Sequence, residues 1–287
     1  MQRGRGESDR MSDAHDAPQT LEGYYVLHDL YRVDWTRWQA APTSERARAS
    51  DQLTQALAAI STIGAGAGDS ATYAVIGQKA DLLFLHYRDT PEELKQAELE
   101  LRRLAIAAFL QPAGSYLSVI EVSLYEATAV AQKKLADQGL DSTAPGYAAA
   151  FDKEMVVQRQ RLESRLRPVL SAGAWCCFYP MSKRRGETVN WYDLPLDERR
   201  ALMRGHGRLG HKYHQQVTQV VSGSIGLDDW EWAVDLHADD PLVFKKLVTE
   251  MRFDPASSRY AEFGPFLIGR RMNAGEVGGF LDGQMPR

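Results

Sequence analysis

The stretch IGQKADLLFLHYRDTPEEL, residues 76–94, returns further along the chain as IGLDDWEWAVDLHADDPLVF, residues 225–244. Each copy runs Ile-Gly, a turn, an apolar strand, and then a helix start with Asp-x-Pro or Asp-Pro. Aspartate at such a start satisfies amides of the first helical turn, and proline presets the backbone for it. A segment repeated in this order marks an internal duplication.

Working outward from the two copies, hydrophobic periodicity predicts strands over 24–32, 71–77, 81–88 and 115–124, with helices over 44–62 and 91–110. The same order follows in the second half, with strands over 174–181, 217–225, 229–237 and 264–270 and helices over 196–215 and 241–252. Two β-α-β-β-α-β units can bury sheet against sheet, so the expected fold is α+β, two ferredoxin-like halves forming a barrel-like core with helices outside. Residues 1–20 read as a disordered tail, 21–146 as the first half, and 147–287 as a connecting helix (147–167) plus the second half. Gly139, Asp141, Ser142 and Pro145 predict an exposed loop over 132–145.

The chain has 287 residues, is 44% apolar and carries a formal charge of -4, which supports a sizeable core and argues against bulk nucleic-acid binding. Cys176 and Cys177 are adjacent and lack metal-ligand spacing, as expected in a reducing cytoplasm. The first twenty residues contain no apolar run, so neither a signal peptide nor a membrane anchor is expected there.

Chemistry concentrates in the second half. In AWCCFYPMSKRRGETVNWYDL, 174–194, strand alternation puts Trp175, Cys177 and Tyr179 on one face and Cys176 and Phe178 on the other. A phenol, Tyr179, therefore ends a buried strand just before Lys183, Arg184 and Arg185. Such a basic run is ordinarily a solvated loop; after Tyr179 and Met181 it also suits recognition of a carboxylate near an apolar pocket. Arg165, in ESRLRP, is another guanidinium fork ahead of the second half.

His206 lies in ALMRGHGRLGHKYHQQ, where glycines at 205, 207 and 210 each cost a helix about 1 kcal/mol relative to alanine. Removing side chains around one imidazole lets a broad flat group approach, as an axial haem ligand requires. The plainer reading is a helix ending at a glycine cap with His206 as an ordinary polar residue. His206, His211 and His214 do not converge around the helix axis, so zinc would need ligands from elsewhere. Gln219 is an amide among β-branched residues. Trp230 and Trp232 suit the core, and Ser257 suits a turn, a cap or a ligand contact.

The blocks FYPMSKRR, LMRGHGRLG, VTQVVSGSIGLDDWEWAVDL and MRFDPASSRYAEFGPF together resemble the coproheme decarboxylases, the peroxide-dependent haem synthases of the chlorite-dismutase-like superfamily, in the form with a distal glutamine. The resemblance runs from Leu21 to Met272. It implies a ring assembly, typically a homopentamer, with porphyrin held in the second half of each subunit. It places the iron's axial ligand on His206, the catalytic roles on Tyr179 and Lys183, and substrate contacts on Arg165, Tyr179, Pro180, Met181, Ser182, Lys183, Gln219 and Ser257.

The implied reaction is oxidative decarboxylation of iron-coproporphyrin III to haem b with hydrogen peroxide, through a three-propionate intermediate, as the last step of coproporphyrin-dependent haem biosynthesis. Substrate and redox cofactor are then one molecule, and Tyr179 relays a radical to a propionate. Chlorite-degrading relatives carry arginine where Gln219 stands, which disfavours oxychlorine chemistry. The alternatives are a haem carrier or sensor on the same fold, and a chlorite dismutase or peroxidase-like haem enzyme.

Overall fold

Gly77 and Gly226, the second residues of the two repeats, both take positive φ, 90° and 82°. Side chains rarely adopt that conformation, which is why the Ile-Gly turn is written twice in the sequence. The computed structural model describes residues 20–60, 67–123 and 125–287; most of the expected N-terminal tail lies outside them. The first half comprises β1 (Thr20–Val33), α1 (Trp35–Ala40), α2 (Thr43–Ile60), β2 (Asp69–Val75), β3 (Leu82–Arg88), α3 (Pro91–Arg103) and β4 (Leu110–Ser123). A helical pair follows, α4 (Tyr125–Asp137) and α5 (Tyr147–Leu166). The second half comprises β5 (Trp175–Lys183), α6 (Leu196–His211), β6 (Thr218–Gly223), β7 (Trp232–Ala238), α7 (Leu242–Met251), α8 (Pro255–Ser258), β8 (Ala261–Phe263), β9 (Leu267–Met272) and α9 (Val277–Leu281).

The strand order is β7-β6-β4-β1-β3-β2-β9-β5-β8, and β5 also pairs with β7, so the sheet closes into a barrel with β8 as a flange. Within it the halves repeat one order, β4-β1-β3-β2 and β9-β5-β7-β6. They join where β2 meets β9 and β4 meets β6, both antiparallel. Closure leaves the barrel strands without free edges. The duplicated α+β architecture expected from the repeat is therefore the one observed.

Alternation decides what lies inside. Cys176 and Phe178 pack in the lumen with Val26, Tyr73 and Leu85, while Cys177 and Tyr179 face outward against Leu236, Val243 and Phe244. At the centre the His28 ring stacks on Phe178 at 3.9 Å, and its Nε2 lies 2.8 Å from Asp235, joining the halves.

Helices close the outer faces. In the first half Leu53 and Leu57 of α2 pack with Leu82 and Phe84. Thr90 caps α3 in a reciprocal box with Glu93. That helix stops at Arg103, and a 3-10 turn over Ala105–Phe109 leads directly into β4, where periodicity predicted one helix over 91–110. The expected loop over 132–145 is also corrected: its first six residues belong to α4, whose Ala131 and Leu135 pack on Phe151 and Met155 of α5. The main packing of α5 is on α4, β1 and β4, so it sits with the first half.

Candidate functional site

The helix α6 differs from its counterpart α2 in what it covers. α2 buries Ala49, Leu53 and Leu57, whereas Arg199 is the buried side chain of α6. The main packing of α6 is on α7 and α8 rather than on the strands. Its inward residues, Leu202, Met203, His206 and Leu209, stay half-buried, and Leu209 meets the apolar layer that contains Tyr179 and Val221. A Cβ on Gly205 would meet only Asp254 Oδ1, at 4.0 Å. One on Gly210 would meet Met251 Cε at 3.4 Å and Gln219 Oε1 at 3.9 Å. The glycines thus open a slot between α6 and the outer face of the second half, with Gln219 on the strand side.

His206 is fixed from behind. Its Nδ1 lies 2.9 Å from Asp254 Oδ2, and Ser257 Oγ is 3.4 Å from the same nitrogen. Asp254 also accepts from the Ser257 amide as the N-cap of α8, a position aspartate favours. No described residue bonds Nε2, so the imidazole offers one lone pair, with its tautomer set by the carboxylate. Among the described residues no three His, Cys, Asp or Glu side chains gather to hold a metal. His211 and His214 instead stack on each other at 4.4 Å.

Tyr179 is buried, with its ring 4.4 Å from Phe266 and 5.9 Å from Phe263. Burial pushes its phenol above the ordinary range, opposed by the positive charge of Arg252. The Arg252 guanidinium lies 3.9 Å from the Phe263 ring centroid. The Arg252 charge thus stands beside Tyr179, with Phe263 between them.

Lys183 is 8% exposed. Its Nζ donates to the Ala256 carbonyl at 3.0 Å and stands 4.3 Å over the Trp191 ring. Loss of hydration brings its pKa down to about 8, opposed by Asp254 and Glu231. The basic run divides here: Arg184 and Arg185 are exposed and pair loosely with Glu262 and Glu231.

The remaining sequence-derived residues separate by face. Met181 shares the outer face with Tyr179 and Lys183, and packs in the same layer. Pro180 and Ser182 alternate to the other side; the Pro180 carbonyl accepts from Gly264 and Ser182 Oγ from the Glu231 amide. Arg165 lies exposed in the last turn of α5, and no described contact links it to His206 or Tyr179. Asp254 and Arg252 were missed by sequence reasoning, although both lie in the block MRFDPASS. Asp-Pro was a visible capping signal, but its second task, on His206, depends on tertiary contact.

The chlorite dismutase family model matches residues 46–272. A haem-binding protein of Natronomonas pharaonis is 44% identical over 91% of this chain and 41% of its own length. One from Halobacterium salinarum is 42% identical over 94% of this chain and 51% of its own. This chain thus spans about half the length of those curated relatives. The structure of a haem-binding protein from Thermus thermophilus superposes with a TM-score of 0.79 at 40% identity, covering 93% of this chain and 98% of that one. A chlorite dismutase variant from Candidatus Nitrospira defluvii shares the fold, with a TM-score of 0.67 at 17% identity over 91% of this chain and 96% of that one. With the closed duplicated barrel and a family match over most of its length, this chain belongs to the chlorite dismutase family.

Proposed function

We propose that the chain binds an iron porphyrin between α6 and the sheet and converts coproheme to haem b with hydrogen peroxide. The residues present fit such a group. His206 has one nitrogen held by Asp254 and the other without a described partner, the glycines of α6 leave room for a flat ring, and Lys183 and Arg252 supply cations for carboxylates. The bound iron porphyrin would supply the one-electron oxidation chemistry.

The observation that carries the enzymatic reading is Tyr179, a phenol kept neutral by burial, placed in the apolar layer that Leu209 of the His206 helix also reaches. A neutral phenol is a poor base and a competent electron and hydrogen relay. Each propionate converted to vinyl gives up carbon dioxide, one proton and two electrons, and one peroxide accepts those electrons. Tyr179, once it has given up one electron and its phenolic proton, would take a hydrogen atom back from the side chain as a phenoxyl radical, Lys183 and Arg252 would hold carboxylates, and Gln219 would offer a neutral amide in place of a charged guanidinium. The reaction proceeds through a three-propionate intermediate in a ring-shaped homo-oligomer, at the close of coproporphyrin-dependent haem synthesis in the cytoplasm. Among the described residues no helix is long and apolar enough to cross a membrane.

A haem carrier or sensor is the second reading, favoured by the names of the relatives; it leaves the buried Tyr179 without a task. The deciding experiment adds peroxide stepwise to the coproheme-loaded protein and weighs the porphyrin by mass spectrometry. Successive loss of one and then two carboxyl groups supports the decarboxylase, whereas an unchanged porphyrin mass leaves carriage. Oxygen release from chlorite would point to the dismutase reaction.

A further inference from the structure

The duplication sets the outer layers of the two halves side by side, residue against residue. Leu82 pairs with Tyr31 in the first half as Trp232 pairs with Met181 in the second. Leu82 has no exposed surface and packs under α2 with Leu53 and Met272. Trp232, a larger side chain, stays half-buried. The helix matching α2 is α6, which packs mainly on α7 and α8, so the place that α2 fills in the first half is open in the second. Trp230 packs instead on the lumen core.

The neighbour of that position has changed as well. One row across the outer face runs Val119, Gly223, Trp232, Met181, and its counterpart runs Arg270, Ala74, Leu82, Tyr31. Two residues beyond Val119, on the same face of β4, stands Glu121; two beyond Arg270 on β9 stands Met272. Where the first half buries a methionine in the layer of a leucine, the second sets a carboxylate against an indole, and Trp232 Nε1 donates to Glu121 Oε1 at 2.7 Å. Gly223 makes room for this bond, since a Cβ there would collide with the Glu121 carboxylate. Burial raises the Glu121 carboxyl above its ordinary value, opposed by the indole bond. A carboxylate in this place costs what a methionine would not, and the bond to Trp232 is what it gains.

We propose that Glu121 is a positioning residue of the porphyrin site, holding the Trp232 indole as one wall of the slot, against which the bound ring packs. This rests on the reading of the slot as a porphyrin site, and holds for a decarboxylase and a carrier alike. Trp232 lies on the face that carries Gln219, Tyr179 and Met181. Its single donor is taken by Glu121, so the wall presents only apolar π surface, which suits a conjugated ring and not its carboxylates. An indole fixed before the ligand arrives loses less freedom on binding. Because Glu121 belongs to β4, the first half supplies a side chain to the site of the second.

Uptake of iron-coproporphyrin by the full chain without peroxide, read by spectroscopic titration, tests this. Trp232→Phe should weaken uptake about 2- to 12-fold, the share of one aromatic contact. Glu121→Met, which writes the first half's own residue at that place, should weaken it as much, and the double variant no more than either single one. Glu121→Gln keeps a carbonyl oxygen for the indole and should restore uptake. Unchanged uptake in either single variant, losses that add in the double one, or failure of glutamine to restore uptake overturns the proposal. A parent chain that takes up no iron porphyrin sinks the slot itself and this proposal with it. A crystal structure of the loaded parent depends on no variant folding: the indole should lie within about 4 Å of the ring with its bond to Glu121 kept, and a ring beyond that reach overturns the proposal.

Discussion

Asp254 Oδ2 lies 2.9 Å from His206 Nδ1 while the same carboxylate caps α8 through the Ser257 amide. One side chain therefore sets both the imidazole and the turn whose Ala256 carbonyl receives Lys183. A carboxylate behind a ligating histidine raises its basicity, and its loss typically weakens metal binding about 10- to 100-fold. Asp254→Asn keeps an oxygen for the cap and removes the charge. Weaker porphyrin uptake and a more positive iron reduction potential are expected, read by spectroscopic titration and redox titration. An unmoved potential would reduce Asp254 to a capping residue.

Tyr179→Phe separates binding from chemistry. The hydroxyl is lost while the ring keeps its stacking on Phe266. Porphyrin affinity is expected to change by no more than about 12-fold, in line with loss of at most one neutral hydrogen bond, whereas carbon dioxide release should stop. Turnover that survives in this variant would remove the radical relay from the mechanism.

Lys183 carries a pH signature. Its folded pKa is lowered to about 8 by burial, so its charge penalises the folded state below that pH, and the penalty is relieved as pH rises from about 8 towards the unfolded value. Lys183→Met should therefore stabilise the empty protein near neutral pH, by up to about 3 kcal/mol. The advantage should shrink through about pH 8 to 10 in thermal melts. The same variant should bind the tetracarboxylate porphyrin more weakly. A variant less stable than the parent near pH 7 would mean that the Ala256 and Trp191 contacts outweigh desolvation.

The sequence makes the barrel's halves legible because a repeat with its own turn glycines and helix starts is a local signal. The face assignment of Cys176, Cys177, Phe178 and Tyr179 follows from alternation alone, and the structure has it so. Closure through β2–β9 and β4–β6 involves strands far apart in sequence, and nothing local encodes it. The short elements α1, α8, β8 and α9 fall below the length at which periodicity speaks. At the site, His206 stood out by its glycines and Tyr179 by its strand, but Lys183 turning to Ala256, and Arg252 lying over Phe263 beside Tyr179, are tertiary outcomes.

Asp29 gives the first half its own pH dependence. The repeat puts it where the second half has Tyr179, on the outer face under α3, and it accepts from Tyr31 Oη at 2.9 Å. Burial raises its carboxyl to about 6, partly offset by the Tyr31 bond. A raised carboxylate pKa contributes stability present below the unfolded value near 3.8 and lost as pH climbs through about 6. Asp29→Asn should thus melt higher than the parent near neutral pH, by up to about 3 kcal/mol, with the curves meeting below about pH 4. A constant gap across that range would place the effect outside titration.

Gly210 tests whether the slot is built for a flat ligand. An added Cβ would stand 3.4 Å from Met251 Cε and 3.9 Å from Gln219 Oε1, ordinary contact distances, so the empty protein can accept alanine there. Helix propensity then favours Gly210→Ala by about 1 kcal/mol, and its Tm should rise. The same methyl projects into the space between His206's helix and Gln219, where a ring bound to the imidazole must lie. Porphyrin uptake should accordingly weaken even as the fold gains stability. If uptake holds while Tm rises, the glycine serves neither folding nor ligand access, and the slot must open further along α6, beside Leu202 and Met203.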